Sequence, residues 1–247
     1  MTKGLIFSIE EFAINDGPGI RKTIFMKGCP LRCAWCHNPE GLQDVPQIMH
    51  GRDGDEICGY YMSSEELAAS LLKDRDFYAM NNGGVTFTGG EPTMQPEFLI
   101  EVLRILKGKV HTAIETSGFC KESTFEKIIS LTDYILYDIK ATDPLTHKQY
   151  TGVSNHLIIQ NLHSLIKSKK PFVIRIPLIP GVNDSLEAME AVRELVKDAE
   201  SLQRVELLRY HKTAGAKYSK VDMEYNPPFD TETEPHVYNI FEKSIVL

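Results

Sequence analysis

The sequence predicts an α/β fold, and more narrowly a partial, TIM-like (β/α)6 barrel. Short β-rich runs alternate with segments of helical periodicity along most of the 247 residues, which indicates parallel strands with right-handed crossovers. A complete barrel of eight units needs about 250 residues, and only six units are visible here, beside an N-terminal arm and an irregular tail. An open doubly wound sheet has the same periodicity and is the alternative fold.

The six predicted strands are short and rich in β-branched and aromatic residues. In chain order they are KTIFM (22–26), VTFT (85–88), TAIET (112–116), YILYDI (134–139), FVIRIPL (172–178) and VELLRY (205–210). Helices are predicted where apolar residues recur every three to four positions: 63–78, 95–108, 122–131, 155–170 and 184–200. The first helix opens with a Ser-x-x-Glu capping box, which predicts its N-terminus.

Composition and charge argue against several classes of function. The net charge of −7 argues against nucleic acid as the main partner, because phosphate binding needs a basic face. No apolar run is long enough to span a membrane, and the N-terminus lacks the pattern of a secretory signal. The five cysteines are odd in number and unevenly placed, which favours a metal or catalytic role in a reducing compartment. We therefore expect one cytoplasmic domain over residues 1–247.

Glycines and polar residues collect after every predicted strand. In strand order these clusters are GCPLRC, TGGEP, ETSGF, DIK, IPGVND and RYHKTAG. Because α/β barrels place their chemistry at the C-terminal ends of the strands, we expect these loops to form the active site at one rim.

Three of the five cysteines, Cys29, Cys33 and Cys36, have the spacing C-x3-C-x2-C in one loop. Their thiolates can converge on zinc or on an iron–sulfur cluster. Structural zinc needs a fourth ligand, and the neighbouring His37 would have difficulty turning onto the same ion. A [4Fe–4S] cluster with three cysteine ligands leaves one iron open, and this interpretation is favoured over zinc or unligated thiols. The glycines of TGGEP would let a ligand approach the backbone closely.

Taken together, these motifs resemble the radical S-adenosylmethionine (SAM) superfamily. Within it they are similar to the activating enzymes of glycyl radical enzymes, of the pyruvate formate-lyase type. The likeness extends from about Ile6 to about Gly215. The motifs that carry it are DGPGIR (16–21), GCPLRCAWCHN (28–38), GGVTFTGGEP (83–92), ETSGF (115–119), YDIK (137–140), GVSNH (152–156), IRIPLIPG (174–181) and LLRYH (207–211). The cysteine motif identifies only the superfamily, whereas DGPGIR and CHN are more specific.

The resemblance implies the radical SAM fold, with a core at about 6–215 and a tail at 216–247 of unassigned role. It implies one [4Fe–4S] cluster, whose open iron is chelated by SAM. Reductive cleavage of SAM would give a 5′-deoxyadenosyl radical, which removes a hydrogen atom from a glycine Cα of a partner enzyme under anaerobic conditions.

The resemblance also assigns roles by position. Its metal ligands are Cys29, Cys33 and Cys36, and its catalytic residues are Asp16, His37 and Lys140. The positions implied to bind the cosubstrate are Trp35, His37, Gly89, Gly90, Glu91, Thr116, Asp138, Ile139, Lys140, Arg175 and His211. Arg175 or Lys140 would meet the methionyl carboxylate, although Arg175 could instead form an ordinary ion pair. Glu115 and Thr116 match positions that hold a monovalent cation in some relatives, where Asp is commoner than Glu.

One departure from the family concerns residues 39–82. Many relatives carry a ferredoxin-like insert with further cysteines there, whereas this stretch contains only Cys58, and a short loop is expected at 50–63. An external donor, flavodoxin or ferredoxin, is therefore expected to supply electrons, and the chain is expected to be a monomer. The alternative functions are a radical SAM enzyme with a small-molecule substrate and a non-catalytic zinc-binding interaction module.

Overall fold

The computed structural model describes residues 2–247. Its strands are β1 (Lys3–Ala13), β2 (Arg21–Met26), β3 (Gln47–Gly51), β4 (Gly54–Cys58), β5 (Tyr60–Ser63), β6 (Gly84–Gly89), β7 (Thr112–Thr116), β8 (Tyr134–Asp138), β9 (Phe172–Leu178), β10 (Leu202–Arg209) and β11 (Ser244–Val246). Its helices are α1 (Ser64–Leu72), α2 (Arg75–Met80), α3 (Pro96–Leu106), α4 (Glu122–Leu131), α5 (Pro144–Thr151), α6 (His156–Ser168) and α7 (Leu186–Val196). Short 3-10 segments lie at Pro39–Gly41, Pro92–Met94 and Lys212–Val221.

The strands of residues 2–247 form one nine-stranded sheet, in the order β11-β10-β9-β8-β7-β6-β2-β1-β5, and a separate β3–β4 hairpin. The six predicted strands are β2, β6, β7, β8, β9 and β10, and each pairs in parallel with the next. From β2 to β10, each new parallel strand lies on the same side of the strand before it, so the strand order never reverses. A doubly wound sheet reverses its strand order at a switch point, so the partial barrel is confirmed and the alternative fold is wrong. The sheet does not close, because β5 and β11 form its two edges.

The predicted helices are found, with one difference at the first. Its capping box is present, because Ser63 Oγ accepts from Glu66 N at 3.2 Å and Glu66 Oε2 accepts from Ser63 N at 2.9 Å. The single helix predicted at 63–78 is divided into α1 and α2. Asp74 lies at the break, where its carboxylate accepts a hydrogen bond from Lys22 Nζ at 2.6 Å.

Several elements were not predicted. Strand β1 pairs antiparallel with both β2 and β5, and β11 adds in parallel to β10. The stretch 50–63 does not form the expected short loop, because it contains most of the β3–β4 hairpin and the whole of β5. Helix α5 was missed because it buries only His147 and Thr151 and therefore lacks apolar periodicity.

The two faces of the sheet differ in polarity. On β8, Ile135 and Tyr137 belong to the main apolar core shared with the helices, whereas Leu136 belongs to a small inner cluster with Ala113 and Val173. Side chains on a strand alternate between its faces. Two positions further along, the inner face therefore carries charged residues, namely Glu115, Asp138 and Arg175. No helix within residues 2–247 has both the length and the apolar character needed to cross a bilayer.

Candidate active site

A cavity of about 280 Å³ lies where the parallel strands end. The predicted residues that line it are Cys29, Cys33, Trp35, Cys36, His37, Gly89, Gly90, Glu91, Glu115, Thr116, Asp138 and Lys140. The structure thus brings most of the candidate residues together at the rim. Four other candidates, Asp16, Ile139, Arg175 and His211, lie outside the lining.

The cysteine loop is attached to the end of α5. Arg32 N donates to Thr151 O at 2.7 Å, and Ala34 N donates to Tyr150 O at 2.9 Å. Trp35, which is buried, adds a side-chain contact to the same helix by packing against Tyr150, with ring centroids 6.4 Å apart. The unpredicted helix therefore supports the backbone from which the thiols project.

The three thiols of this loop are unpaired and partly buried. Burial raises the pKa of Cys29 and of Cys33 to about 12 each, and it also raises the pKa of Cys36. They are therefore neutral at pH 7 unless a bound cation stabilises the thiolates. Within the described part of the chain, no three His, Cys, Asp or Glu side chains lie close enough to hold a single metal ion. A donor set of three thiols around one cavity suits a centre larger than one ion.

The two glycines of TGGEP are needed for close backbone packing. Gly89 has φ +114°, and a Cβ there would lie 2.4 Å from Met26 N. A Cβ on Gly90 would lie 2.4 Å from Gly28 O and 2.5 Å from Gly41 O. On the side where a Cβ would project, the space is filled by protein backbone, while both glycines also line the cavity. The consequence is that this loop and the cysteine loop are held in one rigid unit.

Glu91 joins this unit to the next strand. Its buried carboxylate accepts from Thr93 N (3.2 Å) and Thr93 Oγ1 (2.8 Å), and from Thr116 Oγ1 (2.6 Å). Ser117 adds two more donors, its N at 2.8 Å and its Oγ at 2.6 Å. Because five donors already bond to its carboxylate, Glu91 does not present a free anion to the cavity. Its side chain instead fixes the backbone of the glycine loop.

Asp138 and Lys140 form an ion pair inside the cavity, with Lys140 Nζ 2.9 Å from Asp138 Oδ2. Burial raises the pKa of Asp138. Burial alone would lower the pKa of Lys140, but the charge of Asp138 counteracts burial and that pKa is raised overall, so the ammonium stays charged. Between them, Ile139 has a fully buried side chain and contributes only its backbone.

Arg175 is fully engaged on the inner face of the barrel. Its Nε donates to Glu206 Oε2 at 2.8 Å, its Nη1 donates to Glu115 Oε1 at 2.6 Å, and its Nη2 donates to Asn15 O. Arg204 supplies a second cation to Glu206, at 2.6 Å. The ordinary ion pair that the sequence left as an alternative for Arg175 is therefore what the structure contains.

Glu115 and Thr116 do not present free oxygens to a monovalent cation. Besides Arg175, Glu115 accepts from Thr88 Oγ1 at 2.8 Å, and Thr116 Oγ1 is bonded to Glu91. The pKa of Glu115 is lowered overall. Burial acts to raise this pKa, but the charge of Arg175 and the hydrogen bonds outweigh burial. The guanidinium already provides the positive charge there, so these residues do not fit the cation site that the resemblance offered.

Asp16 lies inside the barrel, one layer below the cavity. Its Oδ2 accepts from Thr23 Oγ1 at 2.7 Å, and its backbone O accepts from Thr86 Oγ1 at 2.6 Å. Burial, and next the charge of Glu115, raise its pKa. It is linked to the cavity through the Asn15–Arg175–Glu115 contacts.

His37 and His211 lie together at the outer side of the cavity. Their rings are 6.1 Å apart, edge to face, and both residues are exposed. Although much of the residue is exposed, partial burial of the imidazole ring lowers the pKa of His37, and the charge of His211 lowers it further. His211 is not part of the cavity lining; it contacts His37, which is.

Comparison with known proteins identifies the family. A model of the radical SAM superfamily matches residues 23–197, which is most of the chain. The chain belongs to the radical SAM superfamily. Its relatives place it among the activating enzymes of glycyl radical enzymes. The choline trimethylamine-lyase activating enzyme of Oleidesulfovibrio alaskensis is 34% identical over 90% of this chain and 88% of its own length. The pyruvate formate-lyase-activating enzyme of Clostridium pasteurianum is 36% identical over 91% and 90%.

The lengths of these alignments differ. They extend over 274 and 226 residues respectively, although they cover 90% and 91% of this chain. The choline trimethylamine-lyase activating enzyme therefore has additional residues inside the aligned region, whereas the pyruvate formate-lyase-activating enzyme has hardly any. This radical SAM protein has the compact length of the second relative.

Solved structures agree on the fold. A domain of a pyruvate-formate lyase-activating enzyme from Bacteroides vulgatus superimposes with a TM-score of 0.50 at 26% identity, over 66% of this chain and 98% of that domain. Streptococcus suis SuiB bound to S-adenosylmethionine gives 0.56 at 18% identity, over 80% of this chain and 41% of that one. The cofactors of the superfamily, a [4Fe–4S] cluster and SAM, fit the three-thiol donor set described above.

Several residues of the site were not among the candidates from the sequence, and three of them are polar residues of particular interest. Thr88 and Ser117 line the cavity. Asn183 lies behind it and donates to Lys140 O at 2.7 Å and to Pro177 O at 2.6 Å, while its Oδ1 accepts from Ile179 N at 2.8 Å. It lies in the IPGVND cluster, so its loop was recognised, but nothing in the sequence distinguished this side chain from a solvated loop amide.

Proposed function

We propose that this protein is the activating enzyme of a glycyl radical enzyme, with one radical SAM domain spanning residues 1–247 and its core at about 6–215. When bound, the [4Fe–4S] cluster and SAM supply a 5′-deoxyadenosyl radical that takes a hydrogen atom from a glycine Cα of the partner. The observation that carries the proposal is the arrangement of three unpaired thiols, the glycine loop and the Asp138–Lys140 pair around one cavity. Relatives of matching length that activate such enzymes support it.

The residues of the cavity have distinct proposed roles. Cys29, Cys33 and Cys36 ligate the cluster. Lys140 meets the methionyl carboxylate of SAM, because it is the cation that faces the cavity. The backbone of Gly89 and Gly90 receives the methionyl ammonium in a position fixed by Glu91, and Asp138 and Thr116 complete the wall.

The remaining candidates act around the cavity. Arg175 positions Glu115 and the loop at Asn15 instead of binding SAM directly, since its nitrogens are already engaged. His37 and His211 border the adenine side. Asp16 and His37 contact the glycyl loop of the partner, and the half-buried location of Asp16 implies that this loop reaches into the barrel.

The cysteine content bears on how electrons reach the cluster. All five cysteines are unpaired within the described residues, and outside the triplet only Cys58 and Cys120 remain, too few for a second cluster. An external flavodoxin or ferredoxin is therefore proposed as the donor. We further propose that the protein is cytoplasmic and monomeric and does not act on nucleic acid or membranes.

The proposal is tested under anoxic, reducing conditions with the reconstituted protein. Mixing it with SAM and candidate glycyl radical enzymes should produce a glycyl radical, detected by electron paramagnetic resonance, together with 5′-deoxyadenosine. Deoxyadenosine without a radical on any protein would favour a small-molecule substrate. A colourless protein with about one zinc would favour the non-catalytic module.

A further inference from the structure

The segment Lys212–Val221 crosses the open side of the barrel. It begins after β10, next to the sheet edge formed by β11. It ends against β3 and against Pro39–Gly41, which follows the cysteine loop. This segment therefore bridges two regions that the open sheet leaves unconnected.

Its contacts across the opening combine apolar packing with ion pairs. Ala214 belongs to a small apolar cluster with Trp35 of the cysteine loop. Lys217 Nζ lies 2.7 Å from Glu40 Oε1 and 3.2 Å from Asn38 Oδ1. Beyond the segment, Asp222 Oδ2 lies 3.2 Å from His50 Nε2. The side chains of Lys217 and Asp222 are 44% and 79% exposed, whereas that of Glu40 is only 7% exposed. The exposed His50–Asp222 pair contributes at most about 1 kcal/mol. Lys217 neutralises a buried carboxylate, so the Lys217–Glu40 pair is the main polar contact that holds the segment across the opening.

The other side of the segment is attached to its own edge of the sheet. The rings of Tyr218 and Tyr225 are 4.7 Å apart, and the hydroxyls of Tyr210 and Tyr225 are 3.0 Å apart. Asp222 has φ +55°, a left-handed conformation that changes the chain direction where the segment ends. The segment can thus separate from Glu40 and His50 while it remains anchored on the β10 side.

The cavity is small for a site that must also admit part of another protein. Its volume, about 280 Å³, is slightly below the range for sites that hold a single small ligand, about 300–1,000 Å³. The buried Tyr218 lies near Cys33 and Cys36, so moving this segment would open the cavity on the cysteine side.

We propose that Lys212–Val221 is a gate that closes the side of the barrel in the free enzyme. The glycine-bearing segment of the partner enters between this gate and the stretch 38–50. This inference rests on the proposed function, because it assigns the entry route to the partner of that same site. A partner that binds only the open form has its apparent affinity reduced by the fraction of open molecules.

The first test compares Lys217→Met with Lys212→Met by hydrogen exchange. Lys212 lies in the same segment, and its side chain is about as exposed as that of Lys217. It pairs with the exposed Glu232 at 3.1 Å, a contact that does not cross the opening. We expect Lys217→Met to accelerate amide exchange in 212–221 by at least about fivefold, the factor equivalent to about 1 kcal/mol, because it leaves the buried Glu40 carboxylate without its cation. Lys212→Met should leave exchange unchanged. Asp222→Asn, which keeps a residue type that tolerates positive φ, should also accelerate exchange. Equal exchange rates in all four proteins would overturn the gate.

The second test measures the concentration of glycyl radical enzyme that gives half-maximal activation, with the partner identified by paramagnetic resonance. Lys217→Met should lower this concentration by the same factor by which it accelerates exchange, because more molecules are open. An unchanged or higher concentration, despite faster exchange, would show that the partner does not enter past the segment. Hydrogen exchange needs no partner, so a failure of the gate is distinguishable from a failure of the wild-type protein to form any glycyl radical, which would contradict the proposed function.

Discussion

Individual side chains of this site act mostly by holding the backbone. Glu91, which looks like a free carboxylate in the sequence, has five donors. Arg175, which looks like an anion-binding residue, has three acceptors within the protein. The cysteines, the Asp138–Lys140 pair and His37 line the cavity itself. Residue type and motif position therefore predicted which side chains meet, but not whether their polar atoms are already engaged.

Replacing one thiol should separate cluster assembly from folding. We expect Cys33→Ala to abolish assembly of the [4Fe–4S] cluster and cleavage of SAM, because two thiolates cannot hold it, while circular dichroism shows an unchanged fold. Cys58→Ala is the matched control, because Cys58 lies outside the cavity lining, and it should retain iron. Cleavage of SAM by the Cys33→Ala protein would contradict the ligand assignment.

Glu91→Gln should destabilise the protein even without cofactors. The amide NH2 of Gln would face donors such as Thr93 N and Ser117 N, and a buried donor without an acceptor costs about 1–3 kcal/mol. We expect the free energy of unfolding of the apo-protein, measured with urea, to fall by about that amount. Glu126→Gln, at an exposed position on α4, should change it by less than about 0.5 kcal/mol. A similar value for both variants would show that the hydrogen bonds of Glu91 do not contribute.

At the scale of secondary structure, the sequence predicted the elements with the most apolar burial. The parallel strands are buried on both faces and are visible as short β-rich runs, and helices α3, α4, α6 and α7 each bury one apolar face. Helix α5 and the β3–β4 hairpin do not, since α5 packs through His147 and the hairpin leaves Ile48 and Ile57 exposed. These weakly patterned elements hold the cysteine loop and the far side of the opening, and their positions depend on tertiary contacts that spacing does not encode.

The contact between the β3–β4 hairpin and the gate should depend on pH. His50 lies between Asp55 (2.8 Å) and Asp222 (3.2 Å), and its hydrogen bonds to them raise its pKa above 6.5. For a raised pKa, the stabilisation is complete below pH 6.5 and is lost as pH rises through the raised value. We expect amide exchange in 212–221, corrected for intrinsic rates, to accelerate between pH 6 and pH 8. The His50→Gln protein should lack this dependence, and an identical pH profile for both would refute the role of His50.

At the scale of the whole molecule, the open barrel separates stability from chemistry. The apolar core lies between the sheet and its helices, whereas the inner face carries alternating charges, Arg204, Glu206, Arg175 and Glu115, that lead from the surface to the cavity. The same charges hold the N-terminal loop inside the barrel through Asn15. The cavity and the DGPG loop are therefore parts of one network, although 99 residues separate Asp16 from Glu115.

This network gives a prediction for Asp16, whose carboxylate lies below the cavity and is proposed to contact the partner. Asp16→Asn should preserve the fold, because the Asn carbonyl can still accept from Thr23 Oγ1, the contact made by Asp16 at 2.7 Å. Loss of one charge-assisted hydrogen bond to the partner, about 1.5–3 kcal/mol, should reduce glycyl radical formation about ten- to hundredfold. Cleavage of SAM without partner should fall much less, because Asp16 is outside the cavity lining. Both rates should be measured on the same preparation. An equal loss of glycyl radical formation and of SAM cleavage would show that Asp16 acts in SAM cleavage and not in contact with the glycyl loop.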